Sequence, residues 1–530
     1  MLTDTSPPPV AHGRPDARVR RLPIGWIAAA AYVATVVAIA VWVIRRDGDF
    51  TYPLDDSYIH LRLGQNLAGG TLGMNPGEFA SASSSAIWPV FIAAAVRAVG
   101  PLVGVPLVLA TLCGVATLVL LDRWARRRGH SPLERAGLMA AVIVVVPLTT
   151  LSLTGMEHVL QVGTTLLLVV VVLGRIDAED RSWRADLAIG AAALCCAAVR
   201  LEAVFVLVPL AVVVVGQRRW RTLATLTFGA ALPVAAVVAV DLGQGWPALP
   251  ASVLVKSSIV SRARTPAVLL VYQTRLLVVM VLLLALAWFG RDLLRSRWPR
   301  HATWWTSVAL GACVLQLAAG LVVQVYRYEA YLVALCLVAI AVDLHPLVLA
   351  RARGELGPLP SVVQGAGVLL ATLAFVLGLT IVPEVATASR EIHLQQVQMA
   401  RFAATACEGC TVVVNDIGAV GLFGDVQLVD SVGLATHEVV EAKLEGRYDT
   451  TRLAEIAEER GATMAMVYPQ WSPGVPRDWE PVGSWTVHDP TVLGGDTVVV
   501  YSLDRSSTAS LRAAFVDFEV PAEVEVRVLP

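Results

Sequence analysis

Charged residues are scarce in this chain of 530 residues: only 16% are Asp, Glu, Lys or Arg, whereas 56% are hydrophobic. So little charge excludes an ordinary soluble globular protein and predicts an integral membrane protein. The sequence also lacks the G-x-x-x-x-G-K-[ST], G-x-S-x-G and H-E-x-x-H motifs. A nucleotide-hydrolysing pump and a membrane-embedded metalloprotease are therefore without support.

Lysine and cysteine are rare as well. The chain has two lysines, Lys256 and Lys443, so arginine carries nearly all of the positive charge. Residues 1–383 hold 31 Lys and Arg against 20 Asp and Glu, whereas residues 384–530 hold 10 against 22. This asymmetry predicts a basic membrane domain and then an acidic soluble one, which argues against nucleic acid as a partner. Among seven cysteines, Cys407 and Cys410 form a C-x-x-C pair that favours a local disulfide over half of a zinc site.

Hydropathy predicts a polytopic α-helical protein with about eleven transmembrane helices in residues 23–383. The predicted spans are 24–44, 101–121, 137–154, 157–174, 186–200, 202–216, 222–240, 267–289, 303–325, 330–350 and 361–383. The apolar segment 86–99 is shorter and fits a helix in the membrane interface. Arginine-rich loops mark the cytoplasmic side, together with a disordered N-terminus at 1–22. The chain is therefore expected in the plasma membrane, with residues 384–530 outside the cytoplasm.

Isolated charged residues gather on the predicted outer side. The first outer loop, 45–100, opens with the adjacent carboxylates Asp55 and Asp56, and Arg62 follows two helical turns later on the same face. The other outer loops carry Glu157 and His158, Arg200 and Glu202, Lys256, and Arg327 and Glu329. Each alone has a structural explanation, as a helix cap, an ion pair within one loop or an interfacial anchor. Five such groups on one membrane face favour a functional site.

Carboxylates beside several cations just outside a bilayer suit one kind of chemistry. A carboxylate acts as general base toward an attacking hydroxyl, and cations stabilise the charge that develops on a phosphate. The pattern therefore predicts a glycosyltransferase that moves a sugar from a polyprenyl-phosphate donor to a glycan, lipid or protein acceptor of the cell envelope. A transporter or flippase of lipid-linked sugars is the alternative. It would need an inverted repeat and polar groups near mid-membrane, which the sequence does not show.

Several stretches also resemble a known family. They are LDDSYIHLRLGQNLAGG with NPGE and SSSAIWP, then TGMEHVLQ, VRLEA, LPASVLVKSS, YRYEAYL and VNDIGAVGLFGDVQLVDSVGLA. In this order they resemble motifs of GT-C fold glycosyltransferases that use polyprenyl-phosphate sugars, and most of all the terminal arabinofuranosyltransferases. Leu201 stands where the family's R-P-E motif has Pro, and Ala251 stands near a position where the family has Asn. These departures leave the choice between sugars such as arabinofuranose and mannose open.

The resemblance implies roles for particular residues in an inverting transferase that tolerates or requires a divalent metal, Mg²⁺ or Mn²⁺. Asp55 would be the general base and Asp56 its partner and a metal ligand; alternatively, Asp56 raises the pKa of Asp55 by like-charge repulsion. Arg62, Lys256 and Arg327 would bind the donor phosphate. The residues that would line the substrate pocket are His60, Glu157, His158, Arg200, Glu202, Tyr328 and Glu329.

Residues 384–530 alternate strand-like and helix-like runs, which predicts a small α/β domain. Asn415 and Asp416 follow the first strand-like run. Loops at strand ends commonly carry function, so this pair either faces the acceptor or caps the turn. The turn is the favoured interpretation.

Overall fold

The computed structural model describes residues 23–254, 275–293, 300–319, 327–354, 361–471 and 473–530. The predicted N-terminal segment 1–22 and Lys256 therefore lie outside the described residues. Within them, the chain forms a helical domain followed by a domain built on one β-sheet.

A helix stands at every segment for which hydropathy predicts a span. The helices are α1 Ile24–Asp47, α2 Asp56–Ala68, α3 Trp88–Val99, α4 Val105–Arg127, α5 Pro132–Val144, α6 Leu148–Leu153, α7 His158–Asp177, α8 Trp183–Val199, α9 Val204–Gly216, α10 Trp220–Gly243, α11 Arg275–Leu293, α12 Arg300–Ala319, α13 Ala330–Ala352, α14 Ser361–Leu394 and α15 Gln396–Ala406. In the part of the chain that the structure describes, six stretches are long and apolar enough to cross a membrane: α1, α4, α7, α10, α13 and the joined α14–α15 segment. The total of eleven crossings stays a prediction.

Small residues and a proline shape the helical domain. α8 and α10 pack where Gly190 meets Gly229, and a Cβ on Gly229 would collide with the Gly190 backbone. Such close approach lets membrane helices gain van der Waals contact where no hydrophobic force drives their association. Pro147 stands at the break between α5 and α6, where it lacks the backbone N–H that would continue the hydrogen-bond ladder. The predicted span 137–154 is therefore split in two.

The connection from α1 to α4 contains two helices, α2 and α3. The short helix expected at 86–99 is present as α3, which begins at the fully buried Trp88. Its indole Nε1 donates to the Gly155 carbonyl (3.1 Å), in the turn that precedes α7. This contact fixes the connection against the helical domain.

The C-terminal domain is an α/β domain, as predicted. Its elements are β1 Thr411–Val414, α16 Gly418–Phe423, β2 Gln427–Asp430, α17 His437–Leu444, α18 Thr450–Glu459, β3 Ala462–Val467, β4 Glu480–Thr486, β5 Thr497–Ser502, α19 Thr508–Asp517 and β6 Glu525–Val528. The strand order is β2-β1-β3-β5-β4-β6. β1 runs parallel to β2 and β3 and sets Val413 beside Val429 and Ala465 in a buried core, whereas β5, β4 and β6 pair antiparallel. Cys407 and Cys410 form the predicted disulfide.

Candidate active site

Four of the predicted outer loops meet around the start of α2. The hydrogen bonds that join them run from Ser57 Oγ to the Thr154 carbonyl (2.5 Å), from Ser84 Oγ to Glu157 Oε1 (2.8 Å), from Ser252 Oγ to the Ser83 carbonyl (3.1 Å) and from Arg327 Nη1 to Asp56 Oδ2 (2.8 Å). These hydrogen bonds bring the described residues of the four loops together.

Asp55 connects this cluster to the C-terminal domain. It stands at the first position before α2, but its side chain does not cap that helix. Instead, its two carboxylate oxygens accept the backbone N–H groups of Gly418 (2.6 Å) and Ala419 (2.8 Å) at the start of α16. A Cβ on Gly418 would collide with the backbone and carboxylate of Asp55, so the close approach requires glycine there. The alternative of an acid that merely caps its own helix is therefore wrong.

The surroundings of Asp55 raise the pKa of its carboxyl group. Burial is the largest cause that raises its pKa above the ordinary carboxyl range, and the charges of Asp416 and Asp56 add to it. The two backbone N–H donors oppose the rise without cancelling it. The like-charge effect of Asp56 that the sequence suggested is thus present, and Asp416 contributes the same effect from the other domain.

Asp416 lies beside the candidate site, although the sequence favoured a role in the turn. Its Oδ2 accepts hydrogen bonds from Tyr468 Oη (2.6 Å) and Gln396 Nε2 (2.7 Å). Neighbouring Asn415 does serve the backbone, because its Oδ1 accepts the Tyr468 N–H (2.6 Å). The signal for Asp416 was its position at the carboxyl end of a buried strand, just before a glycine-rich helix start.

Two buried arginines lie beside one tyrosine ring, and one of them binds Asp56. Arg327, 3% exposed, binds Asp56 and lies 4.9 Å from the Tyr328 ring centroid. Arg200 lies 5.2 Å from the same centroid, and the His158 ring meets Tyr328 edge-on at 5.8 Å. Two guanidinium groups are therefore held beside one ring, which positions positive charge next to the carboxylates.

Glu157 is the centre of the predicted substrate group. It is fully buried, and its Oε1 accepts from Arg200 Nη1 (2.6 Å) and Ser84 Oγ (2.8 Å) while its Oε2 lies 3.4 Å from His60 Nε2. Arg200 also makes two hydrogen bonds to Glu202, so the ion pair within one loop exists but extends beyond it. The side chain of Glu157 caps no helix, which excludes its structural alternative. Ser84 was not singled out from the sequence.

The two buried glutamates of the group differ in charge. Burial alone would raise the pKa of Glu157, but His60, Arg200 and His158 outweigh it and lower the pKa below the ordinary range. Burial raises the pKa of Glu329 to about 8. Glu157 is therefore an acceptor at neutral pH, whereas Glu329 is mostly protonated and has an O–H group to donate.

Arg62 and Lys256 are the other two residues that were predicted to bind the donor phosphate. The predicted stripe of Asp55 and Arg62 on one face of α2 is present, but this face packs on the C-terminal domain. Arg62 Nε donates to the Met74 carbonyl (3.2 Å). The negative charge of Asp425, just after α16, stabilises the Arg62 guanidinium. Lys256 lies outside the described residues.

A divalent metal at Asp56 would compete with a cation that is already there. Asp56 Oδ2 binds the Arg327 guanidinium, and both oxygens of Asp55 accept backbone N–H groups. Carboxylate oxygens suit Mg²⁺ or Mn²⁺, and a metal bound by Asp56 would share this carboxylate with Arg327. A metal at Asp56 stays a prediction, and Arg327 is the cation that binds Asp56 in the structure.

Comparison with known proteins gives one family match and several structural likenesses. Residues 387–501 match a family described as a domain of unknown function, DUF8728. No curated protein matches the chain.

Solved structures that are similar to this chain include two of ArnT and one of AftD. ArnT from Cupriavidus metallidurans bound to undecaprenyl phosphate is 14% identical, with a TM-score of 0.47 over 91% of this chain and 98% of that one. The structure of the same protein in the apo state is also 14% identical, with a TM-score of 0.48 over 90% of this chain and 99% of that one. The arabinofuranosyltransferase AftD from Mycobacteria is 14% identical, with a TM-score of 0.41 over 90% of this chain and 41% of that one.

Proposed function

We propose that this chain is a membrane glycosyltransferase that moves a sugar, such as arabinofuranose or mannose, from a polyprenyl-phosphate donor to an acceptor of the cell envelope. One observation carries the proposal: Asp56, which pairs with the buried Arg327, adjoins Asp55, which contacts the C-terminal domain. Arg327 and Arg200 lie beside the same Tyr328 ring. A donor with its polyprenyl tail along the helices would present its phosphate at this depth.

Asp55 is the proposed general base. A base works best when its pKa lies near the operating pH, and burial together with Asp416 moves the pKa of Asp55 in that direction. In the proposed step an acceptor hydroxyl attacks the anomeric carbon and gives its proton to Asp55. The new glycosidic bond forms as the bond from carbon to the phosphate oxygen breaks, with inversion at the carbon.

Arg327 is the proposed phosphate ligand among the described residues, with Lys256 as a second cation. The departing polyprenyl phosphate gains negative charge in the transition state, and a buried guanidinium stabilises that charge. Asp56 holds Arg327 at 2.8 Å and so fixes its direction. We assign Arg62 a structural role instead, because it contacts the Met74 carbonyl and interacts with the charge of Asp425.

The Glu157 group is the proposed sugar pocket. It offers an ionised carboxylate in Glu157, a protonated carboxyl in Glu329 and the imidazole of His158. Sugar hydroxyls both donate and accept hydrogen bonds, so such a mixed set can hold several of them.

The test is turnover by the purified protein in nanodiscs. Radiolabelled polyprenyl-phosphate arabinofuranose and mannose would be offered with envelope-glycan acceptors, and transfer would be measured by product analysis. We expect acceptor-dependent transfer from one donor. Movement of the intact lipid-linked sugar between leaflets, with no transfer to any acceptor, would contradict the proposal in favour of a flippase.

A further inference from the structure

A second cluster of titratable side chains lies apart from the candidate active site. His130 comes just after α4, Glu134 lies in the first turn of α5, and His345 lies near the end of α13. One ligand atom of each lies within 4.8 Å of the other two. Glu134 Oε1 is 2.8 Å from His345 Nδ1 and 3.7 Å from His130 Nδ1. The two imidazole rings stack with centroids 4.1 Å apart.

The fold orients these ligands in advance. Ser131 and Glu134 form a capping box at the start of α5, in which Glu134 Oε2 accepts the Ser131 backbone N–H (2.7 Å). One carboxylate oxygen is thereby anchored, and the other faces both imidazoles. Such outer contacts fix the orientation of ligands in metal sites. His130 is buried, and the other two side chains are partly buried.

We propose that His130, Glu134 and His345 bind one Zn²⁺ ion. Two imidazoles and a carboxylate are ligands that zinc takes readily, with a water in the fourth position. With bonds of about 2.0–2.1 Å, two ligand atoms of a tetrahedral site stand about 3.3 Å apart. The distances of 2.8 and 3.7 Å from Glu134 Oε1 bracket this value, and a nitrogen of each histidine lies within 4.8 Å of the other, so binding would draw the two imidazoles together around the ion.

This site is distinct from the proposed active site. Along α13, His345 lies fifteen residues beyond Ala330, or about 22 Å at 1.5 Å per residue, while Arg327 and Tyr328 precede the other end of the helix. Zinc there clamps the end of α13 to the turn between α4 and α5. The ion thereby holds the helix whose opposite end carries the arginine that binds Asp56. The inference does not depend on the proposed reaction.

Zinc binding by the full-length protein in detergent tests the proposal. After treatment with a chelator, the protein should bind one Zn²⁺ per chain by calorimetry and elemental analysis, and a large excess of Mg²⁺ should not displace it. Zinc should also raise the midpoint of thermal unfolding, because it binds only the folded state. X-ray absorption should show two imidazole ligands.

Two variants and a control decide the assignment. Glu134→Gln keeps the capping box, since glutamine serves in it as well, but it removes the charged ligand. Glu134→Gln and His345→Gln should each weaken Zn²⁺ binding at least tenfold, whereas His488→Gln, at an exposed histidine paired with Glu525, should not. Absence of zinc binding in the wild type, or equal binding in a folded Glu134→Gln variant, would overturn the site and leave a hydrogen-bonded cluster only.

Discussion

Replacing Asp55 by Asn separates the chemistry of this side chain from its part in domain contact. The amide keeps the size of the carboxylate but cannot accept the proton of an attacking hydroxyl. A general base typically supplies roughly 10²–10⁴-fold in rate, so turnover should fall by about that factor. Binding of the lipid donor should persist, because the proposed phosphate ligand is Arg327 and not Asp55.

The same change also has a structural cost that the geometry allows us to estimate. Asp55 accepts two backbone N–H groups, from Gly418 and Ala419, on two different oxygens. Asn offers one acceptor oxygen, so one of these donors would face an amide N–H₂. An unsatisfied buried donor costs about 1–3 kcal/mol, which is well below the about 5–15 kcal/mol that keeps a domain folded. The variant should therefore fold with a lowered midpoint of thermal unfolding.

Asn75→Ala is the matched control for domain contact. Asn75 also makes two hydrogen bonds to the backbone of the C-terminal domain, from Nδ2 to the Leu428 carbonyl (3.0 Å) and from the Leu428 N–H to Oδ1 (2.8 Å). It contributes no carboxylate. Turnover and donor binding of both variants would be measured in nanodiscs beside their thermal unfolding. Near wild-type turnover in Asp55→Asn, or an equal loss in Asn75→Ala, would refute Asp55 as the base.

Three further changes test the rest of the site and the topology. Asp416→Asn removes a negative charge that raises the pKa of Asp55, so the acid limb of the pH–rate profile should move to lower pH; an unmoved limb would contradict the coupling. Arg327→Ala should weaken donor binding in a lipid-binding assay by about 1.5–3 kcal/mol, which is what a hydrogen bond to a charged group contributes. Arg62→Ala should change donor binding little. If Arg62→Ala weakens it more than Arg327→Ala does, the phosphate ligand is Arg62. A reporter fused after residue 390 should lie outside the cytoplasm and one at residue 127 inside, and opposite labelling would refute the predicted orientation.

Much of the helical domain could be predicted because hydropathy is a local property. Isolated charged residues in an apolar context are costly, so Glu157, Arg200 and Arg327 were recognisable as a group without knowledge of their partners. Their pairing was not, because Glu157 and Arg200 lie 43 positions apart and Asp56 and Arg327 lie 271 apart. No periodicity within one segment encodes which loops meet.

The face of α2 shows where local reasoning ends. Helical periodicity correctly put Asp55 and Arg62 on one stripe, but it could not tell what covers that stripe. The element that packs on the stripe is α16, which lies more than 360 positions after Asp55 in the sequence. The ring of Tyr58 meets Phe423 of α16 (5.5 Å), between the contacts of Asp55 and Arg62. A stripe that suggested a phosphate site is thus, over much of its length, an interface between domains.

The C-terminal domain contributes contacts to the candidate active site. It holds Asp55 through α16, pairs with Asn75 through Leu428 and binds Glu78 through Arg460 (2.6 Å). It also brings the charge of Asp416 close enough to raise the pKa of Asp55. If the base is tuned in this way, domain contact and catalytic competence are coupled, because separating the domains removes both the burial and the neighbouring charge. The domain of unknown function at residues 387–501 then acquires a physical role, which is to set the protonation of a carboxyl on the membrane domain.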